Sequence, residues 1–155
     1  MRFAIVRSRF NTQITQPLLE GARRGFADAA IEPDLIDVFE VPGAFELPLA
    51  ALWLAQTKKY NAVVCLGCVI RGETPHFEYV AAESARGIAD VALRTGMPVI
   101  FGVLTADTLE QAQARADAAA GSSVGHSGDG ARSNKGYEAA RTAVEMAQLR
   151  RKFDI

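Results

Sequence analysis

The chain has 155 residues, enough for one domain of the commonest size and for a core that needs neither a disulfide nor a metal to hold it. Apolar residues make up 49%, charged residues 23%, and the net charge is -1, so there is neither a basic field for nucleic acid nor a polybasic patch for a membrane surface. No apolar run approaches the roughly 18 residues of a membrane span, and the start MRFAIVRSRF carries charges within its short apolar stretch, unlike a signal peptide, so the expected location is cytoplasmic.

Residues 3–6 form the first apolar, β-rich run. Behind it Ile14, Leu18, Ala22, Phe26 and Ala29 recur at three- and four-residue spacing and predict an amphipathic helix, with Pro17 tolerated near its start. A second strand is expected over 35–41, then a helix over 45–57 whose apolar stripe is carried by Leu49, Leu52 and Trp53. The third strand, 62–66, is continuously apolar, as expected of a strand covered on both faces. It holds Cys65, and Cys68 follows it. With no second cysteine pair to complete a zinc site, both thiols read as small packing residues. The longest helical pattern, 77–95, places Val80, Ala81, Ser84, Ile88, Val91 and Ala92 on one side and is stopped by Gly96 and Pro98. A fourth strand over 99–104 and helices over 108–119 and 137–152 complete the chain. Between those two helices residues 121–133, GSSVGHSGDGARS, read as a flexible Gly/Ser-rich insertion within a single domain. Strands alternating with helices predict right-handed crossovers and a parallel sheet covered on both faces. The expected fold is α/β: a flavodoxin-like three-layer sandwich with a four-stranded parallel sheet.

Ligands of open α/β sheets bind beyond the carboxyl ends of the strands. The unusual residue combinations of this chain follow its strands: Phe10 and Asn11 after the first, Val41 to Glu46 after the second, GCVIRGETPH (67–76) after the third, Thr105 and Asp107 after the fourth. In the third of these, Arg71, Gly72 and Thr74 lead into the longest helix, whose first N–H groups favour an anion. Two readings stand side by side there, a phosphate seat and an ordinary capped helix start with a solvated Arg71. His76, one of two histidines (the other is His126), is either a proton-transfer group or a structural histidine at a helix start. No second ligand lies at metal-binding spacing, so no metal is expected. Phe10 either stacks on a planar heterocycle or closes the sheet edge as a core residue. Glu46 either complements a helix dipole or accepts from ligand hydroxyls. Arg115, taken alone, is a surface cation.

Taken together, Phe10-Asn11, Val41-Pro42-Gly43-Ala44-Phe45-Glu46-Leu47-Pro48, Gly67-Cys68-Val69-Ile70-Arg71-Gly72-Glu73-Thr74-Pro75-His76-Phe77, Pro98 to Thr105, and Asn134-Lys135-Gly136 with Glu138-Ala139-Ala140 resemble the lumazine synthase family, in its order and over nearly the whole chain. The resemblance implies the sandwich fold and a transferase of riboflavin biosynthesis. That enzyme joins 5-amino-6-(D-ribitylamino)uracil to 3,4-dihydroxy-2-butanone 4-phosphate, releases phosphate and water, and uses no metal or organic cofactor. It also implies a homopentamer with sites between subunits. By the same resemblance Phe10 stacks on the pyrimidine, Ala44, Phe45 and Glu46 hold the ribityl chain and ring edge, and Cys68, Val69 and Ile70 run along the ring. Glu73 and Thr74 belong to the ketone-phosphate loop, and His76 moves protons. Phe101 is lent by the adjacent subunit, and Arg115 and Lys135 lie at the phosphate. Two departures stand out. The insertion at 121–133 makes Arg132 a rival to Arg115, and Ala114 replaces an acid common in the family. Lengthened connections of this kind accompany free pentamers in the family, so the expected assembly stops at the pentamer. The alternative class is a non-catalytic flavin- or lumazine-binding module of the same fold.

Overall fold

The computed structural model describes residues 1–117, 134–153 and 155. The insertion at 121–133, with His126 and Arg132, and the expected helix end at Ala119 lie outside the described residues. Four strands, β1 (Phe3–Ser8), β2 (Ile36–Val41), β3 (Ala62–Ile70) and β4 (Val99–Ala106), pair in parallel in the order β2-β1-β3-β4. Among the described residues, five α-helices follow or connect them: α1 (Thr12–Ala27), α2 (Leu47–Gln56), α3 (His76–Thr95), α4 (Leu109–Arg115) and α5 (Lys135–Lys152). The chain runs outward from β1 to β2, then returns across β1 to β3 and β4. Its direction of winding therefore reverses beside β1, which opens a crevice at the carboxyl ends of β1 and β3.

The sheet separates two apolar layers. Phe3, Ile5, Val64 and Leu66 face α1, α4 and α5, while Ala4, Val6, Val63 and Cys65 face α2 and α3. The Phe3 and Phe26 rings meet at 4.8 Å, and Ile14, Leu18, Ala22 and Phe26 are buried, so the stripe expected of α1 is observed as far as Phe26, while Ala29 lies past the helix end and is half-buried. Each fully buried side chain of this size contributes about 1.5–3 kcal/mol. At the amino ends of the strands, Arg2 donates from Nε and Nη2 to Asp37 at 3.0 and 2.7 Å, and Tyr60 donates its hydroxyl to the same carboxylate at 2.8 Å. This ties β2 to the residues that precede β1 and β3.

Several boundaries differ from the sequence expectation. β3 runs on to Ile70, so Gly67, Cys68, Val69 and Ile70 are strand rather than loop. Gly67 interrupts the apolar pattern because a Cβ there would lie 3.1 Å from Leu47 and 3.2 Å from the Ser8 hydroxyl. β1 and β4 each extend two residues further than expected, to Ser8 and Ala106. Phe45 and Glu46 belong to a 3-10 turn, Ala44–Glu46, and α2 starts after them at Leu47. Its buried face is Leu47, Ala51 and Ala55, leaving Leu49 and Trp53 50% and 60% exposed. α4 ends at Arg115. Pro17 lies well inside α1, past its first turn.

Candidate functional site

The crevice at the carboxyl edge holds a pocket of about 690 Å³. Its floor is the end of β3: Cys68, Val69 and Ile70. Burial drives the Cys65 thiol pKa up to about 12 and that of Cys68 up to about 11, so neither is a nucleophile at neutral pH.

One wall is built by the β1–α1 turn. Arg9 and Phe10 donate their backbone N–H groups to the carbonyls of Val41 and Pro42 at 2.9 and 3.1 Å. Asn11 then takes a left-handed conformation, φ 59°, which asparagine tolerates better than most residues, and its side-chain amide donates to the Cys68 carbonyl at 3.0 Å. This pins the turn to β3 and leaves Phe10 71% exposed over the pocket mouth. The core reading of Phe10 is therefore wrong: an apolar ring held out of the core by a fixed turn is available to a ligand.

The second wall is the 3-10 turn. Ala44 is buried and its carbonyl accepts the Ser84 hydroxyl at 3.1 Å, fixing the turn on α3. Phe45, 60% exposed, and Glu46 project from it into the lining. The third wall is the start of α3, where Thr74 and His76 line the pocket. Glu73 is in the same loop but outside the lining.

Arg71 does not stand free. Its Nε donates to Asp107 at 2.7 Å, its Nη1 lies 3.5 Å from Glu78, and its guanidinium covers the Phe77 ring at 4.8 Å. Arg71 is a half-exposed strut between the ends of β3 and β4, its guanidinium shared between Asp107 and Glu78.

Phe101, Arg115 and Lys135 are not in this pocket. They line a separate groove of about 570 Å³ along β4 and α5. β4 is an edge strand, so Phe101 faces outward and stays 45% exposed. Arg115 donates from Nη1 to the Gln111 carbonyl at 3.3 Å, and Lys135 pairs with Glu138 at 2.8 Å. Within one chain the imidazole of His76 and the guanidinium of Arg115 thus line different clefts. The lining also includes Tyr79 and Val80, three and four residues past His76 and so on the same helical face. Among the described residues no group of three or more His, Cys, Asp or Glu side chains is placed to hold a metal ion, and no helix is long and apolar enough to cross a membrane.

The parallel sandwich with a largely apolar cleft at its topological switch point defines an α/β ligand-binding protein whose site is framed by a histidine, a glutamate and exposed aromatic rings. The family model for 6,7-dimethyl-8-ribityllumazine synthase matches residues 1–151. A relative from Syntrophus aciditrophicus (strain SB), described as 6,7-dimethyl-8-ribityllumazine synthase, is 51% identical over 153 residues, which is 99% of this chain and 92% of that one. The chain belongs to the 6,7-dimethyl-8-ribityllumazine synthase family.

Proposed function

We propose that this protein is a cytoplasmic transferase that condenses 5-amino-6-(D-ribitylamino)uracil with 3,4-dihydroxy-2-butanone 4-phosphate to give 6,7-dimethyl-8-ribityllumazine. The pyrimidine lies in the β1–β3 pocket, stacked on Phe10 and running along Cys68, Val69 and Ile70. Ala44, Phe45 and Glu46 hold the ribityl chain and ring edge, the carboxylate accepting from hydroxyls. Glu73 and Thr74 border the ketone phosphate, and Arg115 and Lys135 hold its phosphate with charge-assisted bonds.

The 5-amino group attacks the ketone and water leaves to give an imine. Its enamine tautomer expels phosphate, the resulting enol tautomerises to a new carbonyl, and the ribityl-bearing nitrogen attacks that carbonyl to close the ring as a second water leaves. Each step moves a proton, and His76, which lines the pocket, carries it. Much of the remaining rate comes from holding two reactants in register.

The observation that carries this reading is the division of the site. The pocket holds the groups a pyrimidine needs, no arginine is among its described lining residues, and Arg71, next in sequence to the lining residues Ile70 and Gly72, is already engaged by two carboxylates. The groups a phosphate needs line a different cleft beside an edge strand. Two copies supply both halves if the β4 groove of one closes over the pocket of the next, and a ring of such contacts makes a homopentamer in which Phe101 is lent to the neighbour. Mixing the two substrates and following the lumazine absorbance tests the activity. Steady product formation is expected, and a chromophore that binds without turnover would make the protein a binding module.

A further inference from the structure

Asn134 is 2% exposed although it carries a primary amide. Its Oδ1 accepts the backbone N–H of Tyr137 at 3.1 Å, the capping bond of α5. Its Nδ2 lies 3.1 Å from the Pro17 carbonyl in α1 and 3.3 and 3.4 Å from the carbonyls of Ala116 and Asp117, just past the end of α4. An amide has two N–H bonds, so it serves two of these carbonyls at a time, the Asp117 contact being the longest. The space for it is made by Gly21, where a Cβ would lie 2.0 Å from Oδ1. Two residues on, a Cβ at Gly136 would lie 1.9 Å from the Leu18 carbonyl oxygen, so α1 and α5 meet backbone to backbone around the amide.

α4 spans only Leu109–Arg115, fewer than two turns, and a helix so short does not persist without tertiary support. Thr108 caps its start, accepting from Gln111 N–H at 3.2 Å. Asn134 meets the carbonyls at its other end. Arg115 is the last residue of α4, and Lys135 follows Asn134 directly.

We infer that Asn134 is a positioning residue for the phosphate half of the site, its amide fixing the end of α4 against α1 and α5 and so setting where Arg115 and Lys135 stand relative to each other. The inference rests on the reading of those two cations as phosphate ligands. Asn134→Asp separates it from simple helix capping, because aspartate caps a helix as well as asparagine but cannot donate to the carbonyls. We expect the variant to raise the KM for the ketone phosphate and the Ki of inorganic phosphate about tenfold, with the Kd of the pyrimidine unchanged. Where the buried charge prevents folding, Asn134→Ser keeps a capping oxygen without the reach to α4, and the same split is expected.

Tyr137→Phe removes the 2.9 Å bond to Asp28 at the same α1–α5 contact and should leave the phosphate parameters alone. Arg115→Ala separates the two ideas. If it weakens phosphate while the Asn134 variants do not, the positioning role is wrong. If neither weakens phosphate, the reading of the half-site is wrong and this inference falls with it. Equal loss of phosphate and pyrimidine affinity would reduce Asn134 to a purely structural residue.

Discussion

His76 and Arg115 belong to different clefts, so their replacement should separate kinetically. His76→Ala is expected to lower kcat by about 100-fold, the usual scale for a lost proton-transfer group, with pyrimidine binding nearly intact by fluorescence titration. Arg115→Ala should instead raise the KM for the ketone phosphate. Wild-type kinetics in both would remove these residues from the reaction. A second residue-scale consequence concerns Arg7, whose side chain is 8% exposed and paired with the half-exposed Glu40. Its Nε and Nη1 find no acceptor among the described residues. A buried cation so incompletely paired adds little stability, yet stranding it is costly. In urea unfolding, Arg7→Met should match wild type or gain about 1 kcal/mol, whereas Glu40→Ala should lose about 2 kcal/mol. The reverse ranking would make the pair a net contributor to stability. The sequence could not rank the roles of Phe10 and Arg71, because both turn on the tertiary surroundings. Phe10 is held outward by the Asn11 turn, and Arg71 is claimed by Asp107, thirty-six residues away.

At the scale of elements, periodicity sufficed where one face is buried and failed where both faces carry apolar residues. α1 was legible because its polar side is clean. α2, LPLAALWLAQ, offers no polar side, and the buried stripe fell on Leu47, Ala51 and Ala55 rather than on Leu49 and Trp53. β3 was read short because glycine marks loops on average, whereas Gly67 marks a point where the sheet and α2 come too close for a side chain. The amino-end network of Arg2, Asp37 and Tyr60 yields a prediction about pH. The hydrogen bond from Arg2 and then that from Tyr60 hold the Asp37 carboxyl below its ordinary range. A depressed carboxylate stabilises the fold above its unfolded pKa, near 3.9, and that contribution disappears as pH falls through the folded value. Asp37→Asn should therefore lower the melting temperature by a few degrees at neutral pH, and the gap should close as the pH drops below about 4. A gap that persists in strong acid would assign the effect to shape rather than charge.

At the scale of the molecule, the exposed face of α2 is the feature to explain. A helix apolar on all sides is normally covered on all sides, yet Leu49 and Trp53 stand in the open in one chain. We expect light scattering to report a pentamer, and Trp53→Glu to yield smaller species with proportionate loss of turnover. A shell of sixty chains would overturn the pentamer, and an unaffected Trp53→Glu would move the contact elsewhere. Which edge of the sheet the Arg115–Lys135 groove borders was not legible from sequence, since strand order decides it and β4 becomes an edge only once the chain has wound back across β1. The two thiols of β3 carry a last consequence. Cys65 sits mid-strand, shielded by helices on its side of the sheet, whereas Cys68 is near the strand's tip beside the pocket. A disulfide-forming dye would reach Cys65 only when the sheet as a whole comes apart, but Cys68 whenever the tip breathes. The ratio of their labelling rates would thus distinguish local opening at the ligand end from global unfolding, with no reporter group added to the chain.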